Sequence, residues 1–247
     1  MEPCLVPYAA TSEVPTLDAE QRGELLAAMR DWDYGEGGVF QRDKELGGHA
    51  LFHTTAEGIH HFDLCEKLAI DPGKLHNWIL SVERCMRPDS EVPYHNAVHV
   101  CDVVHAAWWF LEEGRLADLL TPRATLAILL AACAHDTGHP GLNNSWWTDT
   151  ELGRTYHGRS PLENFHIRQG LELMRHDDSD VLAGMGEEDR TAVRTYMIDA
   201  ILDTDLVYRL AINRHCLGKH LENELYTANF ALTVRLEMIS RLVPALI

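Results

Sequence analysis

The stretch TPRATLAILLAACAHDTGHPG, residues 121–141, decides the fold class. Thr121 before Pro122 reads as a helix N-cap with proline at the first helical position, where the missing N–H costs nothing. Ala124 to about Cys133 is then apolar on nearly every side, the pattern of a helix buried in a protein core. The apolar run Leu126 to Ala134 is too short for the ~20 residues of a membrane span. The helix delivers an adjacent pair, His135 and Asp136, at its end. His139 follows one turn on, where Gly138, Pro140 and Gly141 stop the helix. Charge-capable groups at the end of an apolar helix are costly unless something pairs them. Imidazole nitrogen and carboxylate oxygen together suit Zn²⁺ or another borderline divalent cation.

Upstream, Tyr94-His95-Asn96-Ala97-Val98-His99 spaces two histidines at i and i+4. On a helix both imidazoles leave one face about a turn apart. The chemistry of such a set is familiar in outline. A carboxylate can bridge two cations, the cations clamp a phosphoryl group, and a histidine outside the ligand set protonates the leaving oxygen.

The rest of the chain reads as helices. Asp18-x-x-Gln21 is a capping box before Leu25, Leu26 and Met29. Asp71-Pro72 starts a stripe through Leu75, Trp78, Ile79 and Val82, and Ser160-Pro161-x-Glu163 is a second capping box, before Ile167, Leu171 and Met174. Asp189 to about Leu210 and Leu221 to about Leu246 are further periodic stretches, and no hairpin turn or alternating β-branched run occurs. The expectation is an all-α, compact multi-helix fold: an extended lead-in over 1–17 and one helical domain over 18–247.

Composition sets the partners. Lys plus Arg number 21 against 38 Asp plus Glu, a net charge of −17 among 247 residues, with 15 His besides. That excess repels nucleic acid and anionic membrane, so neither is expected as a partner. An anionic substrate is compatible where bound cations reverse the local field. Six scattered cysteines form no zinc-finger or disulfide framework, and the N-terminus carries no secretory pattern. A reducing, cytoplasmic location is the expectation. Trp108-Trp109 and Trp146-Trp147 read as core packing, and His53, His60, His61 and His105 as structural or surface groups.

Tyr-His-Asn-x-x-His followed by His-Asp-x-x-His-Pro-Gly resembles the catalytic domain of the class I 3′,5′-cyclic-nucleotide phosphodiesterases, within the wider HD-type metal phosphohydrolases. The resemblance runs from about residue 30 to 247. It passes through Pro72-x-Lys74-Leu75, Asn144, Leu162-Glu163-Asn164 and Ile201-Leu202-Asp203-Thr204-Asp205. It implies hydrolysis of cAMP or cGMP to the 5′-monophosphate in signal transduction, with a dinuclear metal site generating the attacking hydroxide. His95 would be the general acid. His99, His135 and Asp136 would hold the first metal, Zn²⁺, and Asp136 would bridge to a second, Mg²⁺ or Mn²⁺. His139, Glu163 and Thr204 would hydrogen-bond the waters around that second ion. The nucleotide pocket would draw on Tyr94, His95, Asn96, His99, Asp136 and Leu206.

The chain departs from the family pattern at Gly138, where an acidic residue is common, at Phe165-His166, where His-His is usual, and at Asp203, where a small residue is usual. The family's fourth ligand to the first metal, an aspartate, would lie past Ile247. The expectation is therefore a C-terminally truncated phosphodiesterase domain. The alternative is a truncated, inactive relative acting as a metal-binding or interaction scaffold.

Overall fold

The computed structural model describes residues 14–205, and no β-strand occurs among them. In chain order the helices are α1 (Ala19–Met29), α2 (Gly38–Glu45), α3 (Ala50–His61), α4 (Leu64–Lys67), α5 (Pro72–Cys85), α6 (Ala97–Glu112), α7 (Pro122–Ala134), α8 (Asn144–Trp147), α9 (Glu151–Thr155), α10 (Pro161–Leu173) and α11 (Glu187–Leu202). A 3₁₀ turn, Leu116–Leu119, joins α6 to α7. The architecture is all-α, as the sequence implies.

Helix α7 lies at the centre. Every residue of α7 from Ala124 to Ala134 is buried, and helices α3, α6, α10 and α11 pack around it. Its leucines each contribute roughly 2 kcal/mol of apolar burial. Thr121 accepts the Ala124 N–H at 3.4 Å and Pro122 opens the first turn, the expected start. Asp71 likewise accepts the Lys74 N–H before Pro72, and the Asp18–Gln21 capping box forms with both of its bonds. Val14 and Leu17, the described end of the lead-in, join the same core.

Two features of Gly170 seat α10 against α5 and the end of α7. Trp78 of α5, fully buried, donates its Nε1–H to the Gly170 carbonyl at 2.9 Å. A Cβ at Gly170 would stand 3.0 Å from the Ala134 Cβ, so the bare glycine permits the approach.

Three local expectations are corrected. Helix α6 begins at Ala97 with Asn96 as N-cap, so His95 lies just outside the helix and does not share its face with His99. Ser160 precedes α10 in a left-handed conformation, φ 44° and ψ 54°, and makes no side-chain cap, so the second capping box does not form. Trp146 is 64% exposed, because the single turn of α8 has no inner face for it, whereas Trp108 is fully buried. Helix α11 ends at Leu202. The stretch Leu221–Leu246 and the pocket residue Leu206 lie outside the described residues.

Candidate metal centre

Three buried ligand-type atoms meet below α7 and α6. His99 Nε2 stands 3.4 Å and His135 Nε2 3.3 Å from Asp136 Oδ2. The helices explain the placement. Asn96 accepts the Val98 and His99 N–H groups and so aims the first turn of α6, while His135 is the C-cap of α7 with Asp136 next to it.

The tautomers follow from the other ring nitrogens. His135 Nδ1–H donates to the Ala132 carbonyl at 2.9 Å, which leaves a lone pair on Nε2. His166 Nδ1–H donates to the Thr137 carbonyl at 2.9 Å, again freeing Nε2, which lies 3.8 Å from Asp136 Oδ1. His139 is opposite: its Nδ1 accepts the Gly141 N–H at 3.0 Å, so the neutral ring carries its proton on Nε2 and donates there.

His135 Nε2, Asp136 Oδ2 and His166 Nε2 are buried without a hydrogen-bond partner. Acceptors facing acceptors in a dry site are unfavourable unless a proton or a cation lies between them. His99, His135 and Asp136 form one group able to hold a divalent cation; Asp136, His139 and His166 cluster a second time around the same carboxylate, where His139, protonated on Nε2, is a donor and not a ligand. The donor set fits the borderline metals expected for the first position.

Charge coupling is strong here. Burial alone would depress the His135 imidazole, but the Asp136 carboxylate and Ala132 carbonyl hold it above its usual range. Burial would raise Asp136, yet His135, His99 and His166 keep it well below the ordinary carboxylate value. Burial lowers His139 to about 3 and His166 to about 4. Glu163 is pushed up to about 7 by burial, with Asp205 and Asp136 adding to the rise and the Asn144 amide opposing it.

Above this floor opens a cavity of about 410 Å³, within the range of small-molecule sites. Tyr94, His95, His139, Glu163 and Thr204 line it together with the three ligand residues. His95 stacks on His139 with ring centres 4.0 Å apart. Asn144 Nδ2–H₂ donates to both Glu163 oxygens, at 3.2 and 2.9 Å. Thr204, which lines the cavity, donates its hydroxyl to the Ile201 carbonyl at 2.7 Å, so its oxygen has only lone pairs left to offer.

Asn96 belongs beneath the site. Its Oδ1 takes two N–H groups of α6, and its Nδ2 donates to the Val92 and Pro93 carbonyls, both at 3.2 Å. With those atoms engaged and the residue buried, Asn96 holds backbone and is not among the cavity's lining residues. His166 and Asn144 are the residues that spacing alone did not assign to the centre. The signal for His166 was its i+3 relation to Glu163, which puts both on one face of α10. A second cavity, about 390 Å³, lies between the Pro15–Leu17 segment, α1, α2 and His53, and none of the metal-capable groups lines it.

Comparisons with known proteins bear on this geometry. Residues 94–232 match the family described as 3′5′-cyclic nucleotide phosphodiesterase. The human high affinity cAMP-specific and IBMX-insensitive 3′,5′-cyclic phosphodiesterase 8A is 30% identical over 185 residues, 74% of this chain and 22% of its own length. The Dictyostelium discoideum 3′,5′-cyclic-AMP phosphodiesterase 4 is 30% identical over 184 residues, 74% of this chain and 17% of its own. The chain thus spans about a fifth of the length of these curated relatives. The solved structure of LmjPDEB1 in complex with IBMX superposes with a TM-score of 0.69 at 22% identity, covering 89% of this chain and 70% of that one, and so shares the fold. No helix among the described residues is long and apolar enough to cross a membrane. The family match spans the histidine pair, the metal-capable cluster, α10 and α11: the chain belongs to the 3′,5′-cyclic nucleotide phosphodiesterase family.

Proposed function

We propose that this chain hydrolyses the phosphodiester of a 3′,5′-cyclic nucleotide to the 5′-monophosphate, with cAMP, the substrate in its relatives' names, as the first candidate. The observation that carries the reading is the group of orphaned lone pairs on His135, Asp136 and His166 at the floor of the cavity. In this reading His99, His135 and Asp136 would hold a first cation, Zn²⁺, and Asp136 would also hold a second, Mg²⁺ or Mn²⁺. Bound divalent ions would neutralise the phosphate and lower the pKa of a water for attack at phosphorus.

The protein's own side chains do the rest. His95 stands at the cavity wall, outside both ligand groups, and donates a proton to the departing O3′. Burial holds its imidazole below the usual range, with His99 and His135 also lowering it and Asp136 opposing them. The anionic phosphate supplies the charge that favours protonation when substrate arrives. His139 donates from Nε2, while Glu163 and Thr204 accept, so the three order water around the second position. Asn96 holds His95 and His99 in place through the α6 cap, and Tyr94 covers the rim.

The test is turnover of cAMP and cGMP by the purified chain in Mn²⁺ or Mg²⁺, beside His95→Ala, with metal content measured by mass spectrometry. Loss of the general acid should cost about 10²–10⁴-fold in rate with metal retained, and His135→Ala should lose the tightly held metal. Wild type and His95→Ala hydrolysing at one rate would remove His95 from the chemistry. Metal binding without turnover would favour the scaffold reading.

A further inference from the structure

Asp205 and Ser160 have no part in the chemistry above, yet they meet in an arrangement that costs the backbone something. Ser160 is 5% exposed and sits in the left-handed region, which a residue with a Cβ rarely adopts. Its hydroxyl turns away from the helix it precedes and donates to Asp205 Oδ2 at 2.7 Å, a short bond to a charged acceptor. The N-terminus of α10, left without its own cap, is served from outside. Asn144 Oδ1 accepts the Leu162 N–H at 2.9 Å, while the amide of the same residue holds Glu163.

We propose that Asp205 is a positioning residue: through Ser160 it locks the start of α10 to the end of α11 and so sets the spacing of Glu163 and Thr204 across the cavity. Glu163 lies three residues after Ser160, and Thr204 immediately precedes Asp205. The bond therefore ties together the two backbones that carry these acceptors, close to where each is needed. A simple helix cap would have used the Ser160 hydroxyl on α10 itself, at no cost in backbone conformation. The inference rests on the reading that Glu163 and Thr204 order water around the second cation.

The experiment measures Mn²⁺ binding to the whole chain by calorimetry, with thermal unfolding and cyclic-nucleotide kinetics in parallel. Ser160→Gly removes the hydroxyl at a conformation glycine favours, so this variant should fold. Ser160→Gly and Asp205→Ala should each weaken the weaker Mn²⁺ step by about tenfold and lower kcat with KM unchanged. The double variant should be no worse than Asp205→Ala alone, because the Ser160 bond is already gone in it. Asp205→Asn keeps an acceptor for the hydroxyl and should stay close to wild type. Wild-type Mn²⁺ binding by Ser160→Gly, losses that multiply in the double variant, or an Asp205→Asn as impaired as Asp205→Ala would each overturn the proposal. If Asp205→Ala does not fold, Ser160→Gly decides. The Mn²⁺ measurement reads the lock even if no cyclic nucleotide is turned over, so the two readings fail separately.

Discussion

At Asn96 four hydrogen bonds tie the Val92 and Pro93 carbonyls to the Val98 and His99 N–H groups, on either side of His95. Removing an N-cap of this kind costs about 1–2 kcal/mol, so Asn96→Ala should lower the unfolding midpoint. Because the cap aims the first turn of α6, the same variant should also lose metal from the His99 position, read by metal content. Asn96→Asp keeps the acceptor and should recover most of the stability. Full metal occupancy in a destabilised Asn96→Ala would show that the cap supports the helix alone. The closeness of His135 and Asp136 was legible from the apolar helix that ends in them, and that of His99 from its place in the Tyr94–His99 stretch. The tautomers were not: they depend on the Ala132, Thr137 and Gly141 backbone groups, which only the folded chain brings to the rings.

At the scale of elements, the pin between α3 and α5 carries a pH dependence. Glu83, buried on α5, accepts the Phe52 N–H at 3.0 Å and lies 2.7 Å from His49 Nδ1 at the N-cap of α3. The Glu83 carboxylate raises the His49 imidazole above its usual range against the opposing effect of burial. A pKa raised on folding stabilises fully below the unfolded value of about 6.5, and the gain fades as pH rises through the folded value. The stability deficit of Glu83→Gln, about 1–2 kcal/mol for a charged hydrogen bond, should therefore be largest near about pH 6 and shrink toward about pH 9. Thermal unfolding across that range checks it, and a deficit independent of pH would remove His49 from the account. Element starts were legible wherever the cap is local, as at Asp18, Asp71 and Thr121. Ser160 shows why the rule fails elsewhere. Its partner, Asp205, is 45 residues away, and no local pattern announces a bond of that range.

For the whole molecule, the excess of 38 acidic over 21 basic residues means that folding gathers uncompensated negative charge. Self-repulsion of this kind is screened by salt, since the Debye length falls from about 30 Å at about 10 mM to about 8 Å at about 150 mM. The unfolding midpoint of the metal-free protein should rise over that interval of NaCl. A midpoint that falls instead would mean that local ion pairs such as Arg30 with Glu112 and Glu113 outweigh the net charge. The all-α class was legible from composition and capping, and so was the central place of residues 122–134. The closeness of α10 was not, because it depends on what residue 170 lacks. Gly170 lies one turn after His166 on α10, and Ala134 is the residue before His135. The Cα of one and the methyl of the other therefore act as a gauge block. They set the bore between His166 Nε2 and Asp136 Oδ1, and a single added carbon at 170 would have to be absorbed as play in that fitting.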